Sequence, residues 1–138
     1  MRLGDIEFSD SEIKTKLGAN VNLKSAFYEA CSKSIEIDCT KYKTQSDIQE
    51  VIDFINTTIT DKSLDNKISI QTVDIQFIKD SFIYLNLSND IQTEEIMGLF
   101  PNGTELDLYL EFENEEEAIV LHGKTDNSNI NPSSYFMP

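Results

Sequence analysis

Acidic side chains supply most of the chemistry available to this chain. Glu105, Asp107, Glu111 and Glu113 share one parity within ELDLYLEFENEEEAIVL, the stretch from Glu105 to Leu121. In an extended strand, side chains two apart lie on one face, about 7 Å from one another at a rise of about 3.4 Å per residue. Carboxylates at such separations can divide general-acid and general-base roles, as glycoside hydrolysis requires. That chemistry also needs a cleft with aromatic platforms, and the chain has no Trp. The same spacing fits a solvated, charged strand face.

The other reactive residues offer less. His122 is the only histidine and ends a predicted strand beside Gly123. Catalysis there would need a positioned base and an orienting group that the sequence does not display. Cys31 and Cys39 form no CxxC, and with one histidine there is no zinc quartet, so two free thiols are expected. No G-x-S-x-G elbow is present. Gly98, Gly103 and Thr104 have the glycine spacing of a phosphate loop, but the lysine is missing and a predicted helix, not a strand, precedes them. The loops around Asp61–Asn66 and Asp126–Asn129 fit no EF-hand register, and Glu115, Glu116 and Glu117 splay apart in a tight turn. The sequence therefore assigns no catalytic residue, no metal and no cofactor. The chain reads as non-enzymatic.

Charge narrows the partner. The net charge is −14. Residues 1–69 carry 12 acids and nine bases, a net of −3, whereas residues 70–138 carry 13 acids and two bases, a net of −11. Such asymmetry marks a field that steers basic partners and repels phosphate backbones and anionic lipid. Direct binding to nucleic acid or membrane is disfavoured. The N-terminal MRLGDIEF lacks the apolar run of a signal peptide, and no window approaches the roughly 18 apolar residues of a membrane span. A cytoplasmic protein is expected, in a bacterial or phage-infected cell given the Ile-, Asn-, Asp- and Lys-rich composition.

The elements that must position these acids follow from periodicity. Leu3, Ile6 and Phe8 suit a short strand. Ser9 or Asp10 caps a helix through Leu17. Leu23, Ala26, Phe27, Ala30 and Cys31 make an amphipathic stripe after Asn20 or Asn22. Ile35 and Ile37 mark a short strand, and Lys41-Tyr42-Lys43 a basic loop able to meet the acidic face. Ser46 and Gln49 form a capping box, S-x-x-Q, for a helix whose stripe is Ile48, Val51, Ile52, Ile55 and Ile59. Ile68 to Phe77 changes phase, which predicts a bulge near Gln71-Thr72. Lys79-Asp80-Ser81 turns it into Phe82 to Leu87. Thr93 caps a short helix through Leu99, and Phe100 to Gly103 turns into the acidic hairpin. In that hairpin Leu106, Leu108, Leu110 and Phe112 face one way and the acids the other. Asn114 to Glu117 is its turn, and Ala118 to Leu121 the return strand.

This order predicts an α+β domain: a largely antiparallel sheet of two hairpins plus a short strand, with three to four helices packed on one face. A single domain spans 1–124. A polar tail, 125–138, ends in Tyr135-Phe136-Met137. The other sheet face would then carry the partner contacts Glu105, Asp107, Tyr109, Glu111, Glu113, Glu115, Glu116 and Glu117, with Tyr109 as an aromatic anchor among charges.

In size, acidity and lack of a catalytic motif, the chain is similar to small acidic inhibitors: phage anti-CRISPR proteins, DNA mimics, and immunity proteins that neutralise nuclease toxins. The resemblance rests on general character, without an aligned motif. It implies a non-enzymatic protein that occupies the positive surface of a basic partner such as a nuclease or CRISPR effector. The alternative is a phage or mobile-element assembly protein that self-associates through sheet edges or its tail.

Overall fold

Alternating apolar and polar residues build one antiparallel sheet, and helical stripes cover one side of it. A computed structural model of the chain describes residues 1–73 and 81–126. Its strands are β1 (Arg2–Leu3), β2 (Ile6–Phe8), β3 (Ser32–Asp38), β4 (Ile68–Val73), β5 (Phe82–Leu87), β6 (Glu105–Glu111) and β7 (Ile119–Thr125). The helices are α1 (Asp10–Leu17), α2 (Leu23–Glu29), α3 (Gln45–Asp61) and α4 (Thr93–Ile96), with a 3₁₀ turn over Cys39–Lys41. The strand order is β1-β2-β7-β6-β3-β5-β4. The α+β plan expected from the sequence is present.

The centre of the sheet is β3. It is seven residues long, and it separates the hairpin β4–β5 from the hairpin β6–β7. Ile35 pairs with Leu85 on one side and with Leu108 on the other. Alternation then sorts the faces. Ile35, Ile37, Ile83, Leu85, Leu108, Leu110 and Leu121 are buried with the helix stripes. From α3, Ile48, Val51, Ile52, Ile55 and Ile59 are all buried, as its 3.6-residue stripe predicts.

Two close fits position the edge strands. Leu3 and Ile6 pair across the two-residue turn Gly4-Asp5, where Gly4 has φ 64°. A positive φ at the first turn position matches the twist of a hairpin and favours glycine. Gly123 of β7 lies under β2: a Cβ there would come within 2.6 Å of Phe8 and 2.8 Å of Ile6. Because β2 pairs only with Gly123, Lys124 and Thr125, the rest of that edge of β7 is met by α1. The Glu12 carboxylate accepts from the His122 backbone N–H at 3.1 Å, and the Lys16 ammonium donates to the Val120 carbonyl. These contacts satisfy backbone groups that would otherwise template a foreign strand.

Several local expectations shift. The N-cap of α3 is Thr44, whose Oγ1 accepts from the Asp47 N–H at 3.1 Å, so the helix starts before the Ser46–Gln49 pair. The register of β4 with β5 is unbroken from Ile68–Leu87 to Val73–Phe82, and no bulge interrupts Gln71-Thr72. Strand β6 stops at Glu111, which leaves Phe112 and Glu113 outside it, and β7 starts at Ile119 and runs past Leu121 to a buried Thr125. The expected continuation to Phe77, the Lys79-Asp80 part of the turn, and Tyr135-Phe136-Met137 lie outside the described residues.

Candidate functional site

The face of the sheet away from the helices is ordered in rungs by strand register. One rung reads Arg2–Glu7–Lys124–Glu105. The next reads His122–Asp107–Glu36–Tyr84–Gln71, and the third Val120–Tyr109–Ser34–Asn86–Ser69. The sequence leads one to expect a nearly pure negative face, and this holds for strand β6 alone. Across the sheet the first rung alternates in sign, so oppositely charged neighbours neutralise one another.

Each expected contact residue now has a place. Glu105 pairs with the Lys41 ammonium, which holds its carboxyl below the usual range. The basic loop thus meets the acidic strand within one molecule. Asp107 bonds the Nδ1 edge of His122, directly opposite it on β7. The Tyr109 hydroxyl donates to Glu36 at 2.8 Å. Burial, the hydrogen bond to Glu36 and the Glu36 charge push the phenol up to about 12. Tyr109 is therefore half-buried and already engaged, and its hydroxyl is not a free anchor. Glu111 ends β6 exposed, and Glu113, Glu115, Glu116 and Glu117 are exposed in the loop. None of these five forms an ion pair among the described residues.

Sequence reading missed two groups that shape this face. Glu36, set between Asp107 and Tyr84, doubles the carboxylates at the centre, and among the described residues its only side-chain donor is Tyr109. Like charges directly opposite cost stability, and the hydrogen bond that Tyr109 donates to Glu36 softens that cost. Phe82 and Tyr84 stack beside them with ring centroids 6.0 Å apart. Period-two alternation in β3 places Glu36 outward, but only the register reveals which residues it faces.

His122 is not set up for catalysis. Its side chain is 68% exposed. It borders a shallow hollow of about 320 Å³ with Glu7, Lys41, Glu105, Asp107 and Lys124. Asp107 holds the Nδ1 edge of the imidazole. Among the described residues no serine, threonine or cysteine lines that hollow to act as a nucleophile. Both cysteines are free. Burial, with help from the Asp38 charge, pushes the Cys39 thiol up to about 11, which makes it unreactive.

The structure also buries a lysine on the face of β3 that packs against the helices. Lys33 of β3 is 2% exposed. Its ammonium donates to the Asn89 carbonyl at 3.1 Å and lies 4.4 Å from the centroid of the Phe27 ring. Burial lowers its pKa, opposed by the Asp90 charge. Among the described residues no group of three or more His, Cys, Asp or Glu side chains is placed to hold a metal ion. No helix among them is long and apolar enough to cross a membrane.

At the far end of the hairpin the loop folds back toward the helices. Leu17, Val21, Ala26, Phe112 and Ile119 line a hollow of about 270 Å³ there, with Glu29, Asn114 and Glu115 on its walls. No family model matches the chain, and no curated protein or solved structure matches it either.

Proposed function

We propose that this is a non-enzymatic, acidic binding protein that acts in the cytoplasm. It inhibits a basic, nucleic-acid-processing partner, a nuclease or CRISPR effector, by occupying its positive surface. The observation that carries the reading is the run Glu111, Glu113, Glu115, Glu116 and Glu117, exposed at one end of an open sheet with no ion pair among the described residues. Unneutralised carboxylates clustered at the end of the hairpin offer a cationic groove the negative charge that a nucleic-acid backbone would bring to it. They speed encounter with a cationic groove more than they add affinity at equilibrium. Glu105 and Asp107 belong to the rim, because Lys41 and His122 already engage them.

The test is capture from a bacterial lysate, washed at low and then at high salt. A basic nucleoprotein or nuclease that elutes as salt rises is the expected result, since exposed charge pairs are screened beyond about 8–10 Å. The double variant Glu111→Lys/Glu113→Lys should lose most of that capture. Unchanged capture at physiological salt sinks the reading.

A second reading is favoured by one observation. At the edge opposite β1, strand β4 has a sequence, ISIQTV, without a charge or proline to discourage pairing. Self-association through this edge would make the protein an assembly component. Salt-resistant oligomers in sedimentation, dissolved by Ile70→Lys, would support it. A monomer at all concentrations removes it.

A further inference from the structure

The hollow at the end of the hairpin has the composition of a single-residue anchor site. Its wall contains Leu17, Val21, Phe112 and Ile119, and Val21 is 39% exposed, one of the few large apolar side chains left in solvent. Glu29 and Glu115 border the same space, and neither forms an ion pair among the described residues. At about 270 Å³ the hollow is smaller than the roughly 300–1,000 Å³ of sites for drug-sized ligands. It suits one long side chain.

We infer that this hollow seats an arginine of the partner, its methylenes on Val21 and Leu17, its guanidinium against Phe112 and between Glu29 and Glu115. The inference rests on the reading of the protein as a binder of a basic partner, and it names the chemistry that the partner must present. Charge complementarity selects a cation, because an apolar side chain would remove water from two carboxylates without replacing their hydrogen bonds. The aromatic wall and the paired acids favour arginine over lysine. A guanidinium stacks on a ring and donates to two carboxylates in one plane, whereas an ammonium is a compact, strongly hydrated charge. The apolar floor takes the stem, as exposed greasy surface commonly takes the methylenes of long cationic side chains.

The experiment is a titration of isotopically labelled protein, followed by amide shifts, with the blocked peptide acetyl-Gly-Arg-Gly-amide. A counterpart carries citrulline, which keeps the shape of arginine and removes its charge. The expected result is saturable shifts at Val21, Glu29, Phe112, Glu115 and Ile119, with the citrulline peptide at least about tenfold weaker. Glu29→Gln/Glu115→Gln should abolish the response while leaving the rest of the spectrum in place. Val21→Ser should weaken it through the stem alone. An equal response to both peptides, shifts centred instead on Glu105 and Asp107, or no response overturns the inference. The variant Glu111→Lys/Glu113→Lys keeps both acids of the hollow, so it separates the two ideas. Arginine binding with charge-insensitive capture refutes the proposed function and spares the hollow. Salt-sensitive capture without arginine binding does the reverse.

Discussion

The hydroxyl of Tyr109 donates to Glu36 at 2.8 Å, and burial and the neighbouring charge hold that phenol at about 12. An ordinary tyrosine ionises at about 10. As pH rises the unfolded chain therefore loses this proton first. The stability tied to the neutral phenol is intact below about 10 and fades as pH approaches about 12. Burial also raises Tyr42 and Tyr84, so phenolate absorbance should show several late-titrating tyrosines, of which one is lost in Tyr109→Phe. Glu36→Gln should bring it down only part of the way, because burial is the larger cause. A second single-residue test is Gly123→Ala. The added methyl would meet the Phe8 ring at 2.6 Å and the Ile6 side chain at 2.8 Å, so these buried side chains must give, and a loss of about 1–3 kcal/mol is expected in urea unfolding. Neither constraint can be read from one dimension. Tyr109 was legible as an outward aromatic, but its partner lies on β3, and Gly123 looks like any strand-end glycine until β2 covers it.

Helix starts and ends are tested at the scale of the element. Thr44→Ala should cost about 1 kcal/mol by freeing the Asp47 N–H, and Ser46→Ala only a few tenths, about what a non-capping site costs. The reverse order would move the cap to Ser46. In α4 the Glu95 carboxylate accepts from the Gln92 N–H at 2.8 Å and pairs with Lys67 at 3.1 Å. The backbone bond first, and Lys67 second, keep its carboxyl below the ordinary range. Stability from that carboxylate is present above the ordinary range and is lost as pH falls through the depressed value. Thermal unfolding should therefore show a shallower acid decline in Glu95→Gln than in the wild type. The elements themselves were largely legible, because local periodicity makes them: the five isoleucine and valine positions of α3 and the Leu106, Leu108 and Leu110 face of β6 lie where their spacing puts them. What lay beyond reach was pairing between distant segments. Lys41 against Glu105, His122 against Asp107 and β3 between two hairpins depend on register, which one strand's alternation does not encode.

Over the whole molecule, charge and topology act together. The negative surplus sits in residues 70–138, and within the acidic hairpin the Lys41 ammonium draws its centre away from Glu105 and toward Glu111–Glu117. A polycation titrated against the protein at low salt should therefore perturb the 111–117 loop before the β6 start, and the order should vanish as salt screens both. The placement of β3 also governs how the chain reaches its native state. The pairs β4–β5 and β6–β7 can each form between neighbouring segments of the chain, but both present a bare inner edge, β5 in one and β6 in the other, until β3 arrives between them. Closure over such long loops is slow, so refolding on the scale of milliseconds to seconds is expected, not the microseconds of local helical folds. During that interval the open slot accepts any extended segment of matching pattern, and a neighbour's Ser32–Asp38 is the best match available. At high concentration the same chain should yield exchanged dimers, each copy completing the other's sheet.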